Sequence, residues 1–201
     1  MARTQAADYE QRRAAILERA AELYAERGFL GASIADLAKA CNTSKSLLYH
    51  YYASKEDILF DMMESHVQAL LRAADEVVAQ AMPVRKKLAA LTRALMALYV
   101  GAAAHHKVLL YDLVHLPPPR RRKIVNEQRR LIAIVEELLC ELQPALAKQP
   151  ALKRPAAMLY FGMINWTPIW MDPKGPVSPE RIADMAAAIA LDGLTEAKMP
   201  S

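Results

Sequence analysis

Apolar positions along the chain recur at three- and four-residue spacing, and no sustained two-residue alternation interrupts them, so the pattern predicts helices and no strands. Asp8 with Gln11 can cap a first helix, along which Ile16, Ala20, Leu23 and Tyr24 share a face with the stem of Arg27. Gly28 suits the left-handed position just past its end. Ser33 and Asp36 form a capping-box pattern for a second helix, with Ile34, Leu37 and Ala38 inward. The turn Cys41-Asn42-Thr43 is short and polar, and Asn42 tolerates positive φ where no glycine is supplied. Thr43 or Ser44 then caps a third helix, anchored by Leu47 and Leu48.

A second capping-box pattern, Ser54 to Asp57, opens a long helix through Ile58, Met62, Val67 and Leu71 to the region of Ala81. Pro83 fits the first turn of the next helix. His105 to His115 reads as a short helix closed by Pro117-Pro118-Pro119, and a helix from Pro119 to Leu142 ends before Pro144. Pro155 starts another that runs to Trp170. The breaker Asp172-Pro173-Lys174-Gly175-Pro176 follows, and Ser178 with Pro179 opens the last helix, ending near Leu194. The expected fold is all-α: an N-terminal three-helix helix-turn-helix over residues 1–53, then a larger helical domain over residues 54–201. The two share the continuous helix from Ser54.

The third helix carries Lys45, Ser46, Tyr49, His50 and Tyr51, a crowd of hydrogen-bonding side chains for so short a stretch. A helix that must enter a DNA groove needs this composition, and one that enters a protein core does not. Charge points to placement over bulk. Residues 1–55 hold eight Lys or Arg against six Asp or Glu, so DNA affinity rests on a few well-placed groups. Arg120, Arg121, Arg122, Lys123, Arg129 and Arg130 against Glu127 leave +5 in one short run, more than the +4 of the whole chain.

Three stretches, Ile16 to Phe29, Ser33-Ile-Ala-Asp-Leu-Ala and Ser44-Lys-Ser-Leu-Leu-Tyr-His-Tyr-Tyr-x-Ser-Lys-Glu-Asp-Ile-Leu, resemble the TetR family of bacterial repressors. The resemblance implies a homodimer on a double-stranded DNA operator, adds ligand binding and dimerisation to the helical domain over residues 54–201, and assigns roles to this chain's residues. Ser33 opens the second helix, where its hydroxyl and the free amides hold a phosphate. Thr43, Ser44, Lys45 and Ser46 form the leading turn of the recognition helix, with Lys45 best placed to reach a guanine edge and Ser46 a base or a phosphate. Tyr49 and Tyr51 match positions that touch the DNA backbone, His50 faces the groove, and Lys55 matches a phosphate-binding lysine. Leu47 stays open between a thymine-methyl contact and core packing. Core filling is the alternative for Tyr49 and Tyr51, while Tyr52 matches a core position.

The segments Leu116-Pro-Pro-Pro-Arg-Arg-Arg-Lys-Ile-Val and Asn165-Trp-Thr-Pro-Ile-Trp-Met-Asp-Pro-Lys-Gly-Pro are similar to members of that family whose effectors are acyl-coenzyme A thioesters. On this resemblance Met96, Tyr99, Leu110, Tyr111, Phe161, Asn165 and Trp166 line an apolar site, and Arg121, Arg122 and Arg129 hold the CoA phosphates. The alternative for the basic run is a solvated helix face. Trp166 and Trp170, one helical turn apart, share a face and suit core or dimer packing. The helices Pro155–Trp170 and Ser178–Leu194 are the expected dimer interface.

No HExxH, glycine-rich phosphate loop or GxSxG is present, so neither an enzyme nor a resident cofactor is expected. Asp112 and His115 lie at helical spacing with His105 and His106 nearby, which keeps a metal-sensing regulator as one alternative; an architectural DNA-binding protein without a ligand is the other. Cys41 and Cys140 are expected as reduced thiols with no metal role. No membrane-spanning run and a polar N-terminus point to a cytoplasmic protein.

Overall fold

The computed structural model describes the backbone of residues 2–196 and the side chains of residues 8–193; every regular element among them is helical. They are α1 (Ala2–Gly31), α2 (Ile34–Ala40), α3 (Lys45–Tyr51), α4 (Lys55–Val78), α5 (Val84–Gly101), α6 (Ala103–Tyr111), a 3₁₀ turn (Leu113–His115), α7 (Pro118–Leu142), α8 (Pro144–Ala147), α9 (Pro150–Asn165), α10 (Thr167–Trp170) and α11 (Pro179–Glu196). No single helix among the described residues is long and apolar enough to cross a membrane.

The chain folds as two compact units that do not follow chain order. One runs from the N-terminal end to Val67 and includes Ala104–Ile124; the other comprises Gln68–Ala103 and the chain from Val125 onward. In the first unit, α2 packs on α1 and on α3. Ile16, Ala20, Tyr24, Leu37, Leu48, Tyr52, Ile58 and Met62 close its core. Local signals place the joints. Ser33 accepts the Asp36 amide while Asp36 accepts the Ser33 amide, completing the capping box, and Asn42 takes the left-handed φ of 50°. Ser44, of the two expected caps, is the one that accepts an amide, from Leu47. Gly28, with φ 73° and ψ 157°, kinks α1 before a last turn to Gly31.

In the second unit, α5 packs against α11 and α9 over Leu88, Leu91, Leu95, Met96, Tyr99, Tyr160 and Phe161. Thr92 donates to the Leu88 carbonyl, so the buried Tyr160 hydroxyl donates to Thr92 at 2.9 Å.

Two helix assignments need correction here. Pro155 does not start a helix: α9 begins at Pro150, and Pro155 lies inside it. Nor does that helix reach Trp170. It ends at Asn165, because Pro168 has no N–H to continue the ladder; the Thr167 hydroxyl takes the Ile164 carbonyl instead, at 2.7 Å. Trp166 and Trp170 therefore do not sit on one continuous helical face. Both are more than half exposed, which removes core packing as their role. The expected His105–His115 helix is likewise split, into α6 and the 3₁₀ turn.

Candidate nucleic-acid interface

Of the seven residues of α3, only Leu48 is buried. Lys45, Ser46, Tyr49 and His50 stand exposed together, and Thr43, in the turn before them, is half-buried. Such a helix would gain little from burial in its own fold, so its outward face is available to a partner. Tyr49 is 53% exposed, which excludes core filling. Leu47 is 37% exposed, so it does not anchor α3 as Leu48 does. Tyr51 packs beside Tyr9 of α1, ring centroids 4.8 Å apart, and meets the His50 ring edge-on. Tyr52 is buried and its hydroxyl accepts from Arg13 Nε at 3.1 Å. Arg13 also pairs with Asp61, tying α1, α3 and α4 together and holding the guanidinium well above its usual range.

Two expected phosphate contacts have other work. The Ser33 hydroxyl is engaged with Asp36 in both directions, and these bonds hold the Asp36 carboxyl below its usual range. The Lys55 ammonium donates to the Phe29 and Ala32 carbonyls, which terminate α1, and lies 4.0 Å from the Phe29 ring centroid. Burial lowers its pKa, against the pull of Glu56 and Asp112. Two of its three donors are spent inside the protein. Lys55 is thus a clasp between α1 and α4, a role that only the fold reveals.

The rest of that clasp comes from residues 104–124. Asp112, buried, accepts the Phe29 amide at 3.3 Å, and His115 stacks on the Phe29 ring. His115 Nε2 lies 3.6 Å from Asp112. The pair considered as metal ligands thus meets around Phe29; among the described residues no group of three His, Cys, Asp or Glu could hold a metal ion. Arg120 pairs with Asp57 and Lys123 with Glu64. Behind them, His66 Nε2 of α4 and His106 Nδ1 of α6 form a buried hydrogen bond of 3.2 Å, with His105 alongside. Burial, and after it the neighbouring His105, pushes His66 down to about 4; burial, and after it His66, pushes His106 down to about 3. Burial also lowers His105, opposed by Glu18 and Glu22 of α1. Sequence reasoning missed this cluster; the adjacent His105-His106 in an apolar stretch was its signal.

The residues expected around an effector fall in both units. Met96, Tyr99 and Phe161 are buried in the second, where Asn165 Oδ1 is buried without a hydrogen-bond partner and Trp166 is exposed. Leu110 and Tyr111 belong to the first unit and are exposed, as are Arg121 and Arg122, which have no carboxylate partner among the described residues. Arg129, in the second unit, is exposed beside Asn126.

Residues 16–62 match the bacterial regulatory proteins of the tetR family, and residues 81–194 match the tetracyclin repressor-like C-terminal domain. A TetR-family transcriptional regulator from Bordetella parapertussis 12822 is 37% identical, with a TM-score of 0.87 over 94% of this chain and 98% of that one. The structure of AibR in complex with isovaleryl coenzyme A and operator DNA is 28% identical, TM-score 0.77, over 89% of this chain and 97% of that one. The transcriptional repressor KstR2 of Mycobacterium tuberculosis is 26% identical over 95% of this chain and 96% of its own length. With an exposed recognition helix and both family regions in place, the chain belongs to the TetR family of bacterial regulators, DNA-binding proteins of transcription and not enzymes.

Proposed function

We propose that the protein is a cytoplasmic, ligand-responsive repressor that binds a near-palindromic operator as a homodimer and is released by an acyl- or aryl-CoA thioester. The observation that carries the DNA half is α3, which buries one residue of seven and presents Lys45, Ser46, Tyr49 and His50 outward. In this reading residues 1–53 read the DNA and residues 54–201 serve the effector and the dimer. Lys45 takes a guanine edge, Ser46 a base or a phosphate, and Tyr49 the backbone. One such helix reads only a few base pairs, so two copies must act together. Supporting a dimer, Met158, Leu159, Trp166, Ile169, Met185 and Ile189 of α9–α11 are exposed.

Three features support a CoA ester. AibR, the relative noted above, is described with isovaleryl coenzyme A and operator DNA together. The Asn165 Oδ1 is a buried acceptor without a partner, and a ligand donor would satisfy it. Arg121 and Arg122 are exposed guanidiniums suited to phosphate. Release follows if the ester prefers a conformer whose two recognition helices are wrongly spaced. Anisotropy titrations against duplexes from DNA flanking the gene test the reading. Binding should be sequence-specific, dimeric and weakened by isovaleryl-CoA far more than by isovalerate. Equal binding to all duplexes refutes the operator, and equal effects of ester and acid refute the arginine–phosphate contact.

A further inference from the structure

Beside the recognition helix lies a groove of about 430 Å³, between α1, the α2–α3 turn and α3. Its floor is apolar, from Ile16, Ala40 and Leu48. Its wall on the α3 side is Thr43, Leu47 and Tyr51, three residues of the DNA-reading segment. Its α1 side carries two guanidiniums, Arg12 and Arg19, and no carboxylate lines it. The α1 carboxylates Glu10, Glu18, Glu22 and Glu26 are not among the lining residues. Seven helical residues separate the two arginines, a rise of about 10 Å along the groove. Each leans on an exposed carboxylate at its own helix surface, Arg12 on Asp8 at 3.3 Å and Arg19 on Glu22 at 2.7 Å. Such exposed pairs are weak and each leaves several N–H donors unused.

We propose that this groove seats one strand of the bound duplex, with Arg12 and Arg19 holding phosphates and the apolar floor meeting deoxyribose. The inference rests on the DNA-reading assignment of α3 and extends it to α1, which the sequence reading left without any contact to DNA. Three observations favour the strand over another occupant: the groove is continuous with α3, its charged lining groups are cationic only, and these lie two turns apart on α1. Its apolar floor suits a sugar edge, whereas a base would have hydrogen-bonding groups with no partner there.

Cys41 lines the same groove and is half-buried, so it reports on occupancy. The test uses the full-length protein in a Cys140→Ser background and a duplex selected by the wild type from a random pool. Saturating duplex should slow maleimide labelling of Cys41 at least tenfold, and decanoate should not. Arg12→Gln and Arg19→Gln should each weaken selected and scrambled duplexes alike, by about five- to tenfold, and lower the salt slope by about one per protomer. Arg12→Lys should restore the slope, and Arg181→Gln on α11 should leave it unchanged. Unaltered slopes with unprotected Cys41, in a protein that still binds its selected duplex, overturn the groove assignment alone. Protection by decanoate and not by duplex overturns it in favour of an amphiphilic anion. A wild type that enriches no sequence and binds no duplex overturns the DNA-reading assignment and the groove with it.

Discussion

The buried imidazoles of the first unit make its stability depend steeply on pH. His66 and His106 share one hydrogen bond at 3.2 Å in a site that holds their pKa values at about 4 and about 3. In an unfolded chain each titrates near 6.5. As pH falls past that value the unfolded state takes up protons that the folded state refuses, so the unfolded state gains relative to the native one. Stability is therefore complete above pH 6.5, falls below it, and keeps falling until the folded values are reached. Between pH 7 and pH 5 each histidine costs about 2 kcal/mol, and the two together about 4 kcal/mol. That is a large part of the roughly 5–15 kcal/mol of a typical domain. His105 adds to the same trend, moderated by Glu18 and Glu22. The measurement is urea denaturation at pH 7, 6 and 5, by far-UV circular dichroism, on wild type and on His66→Gln with His106→Gln. The wild type should lose about 4 kcal/mol more than the double variant across this range, with the single His66→Gln intermediate. Parallel pH dependence in wild type and double variant would refute the argument, since it would mean that these imidazoles accept protons in the folded state.

Asp112→Ala removes the acceptor of a buried Phe29 amide and should cost about 1–3 kcal/mol, read by thermal unfolding. Asp112→Asn, which keeps an acceptor, should recover most of that loss. Lys55→Met breaks two bonds to the end of α1 and should lower stability by about 1–2 kcal/mol while leaving the salt dependence of DNA binding unchanged. Full stability with a salt slope reduced by about one would return Lys55 to a phosphate. Lys45→Ala should relax preference at one position of each half-site, costing about 1–3 kcal/mol there, as read by competition with single-base variants. Tyr160→Phe leaves Thr92 one partner short in the α5–α9 core and should cost about 1 kcal/mol by urea denaturation.

What the sequence made legible follows from how local each cause is. Caps act within four residues, so Ser33 with Asp36, Ser44 and the positive φ of Asn42 were readable in advance. Exposure of Lys45, Tyr49 and His50 followed from a polar pattern too dense for a core. The misreadings share a different origin. Proline at 155 looks like a helix start, yet α9 starts at Pro150 and runs through it, leaving the Ala151 carbonyl without its helical donor. Trp166 and Trp170 at i, i+4 share a face only while the helix continues, and Pro168 between them stops it. For Lys55 the resemblance implies a phosphate, whereas the carbonyls that take its ammonium here belong to residues 26 and 23 positions earlier, beyond any local pattern. Around the effector the ambiguity is chemical. Met96, Tyr99 and Phe161 would look the same in a filled core and in a ligand channel, because both reward apolar side chains.

The clasp around Phe29 changes what a helix-turn-helix means in this chain. The recognition helix sits in the first fifty or so residues, but the compact unit that carries it includes Ala104–Ile124. From that segment Asp112 accepts the Phe29 amide near the end of α1, His115 covers the Phe29 ring, and Arg120 pairs with Asp57 at the start of α4. Lys55 closes the same ring of contacts from α4. Since α1, α2 and α3 make a small unit on their own, the end of α1 and the start of α4 beside them are held by groups that the chain supplies more than sixty residues later. Asp112, His115 and Arg120 thus tie residues 104–124 to the end of α1 and the start of α4, the helices that precede and follow α2 and α3 along the chain.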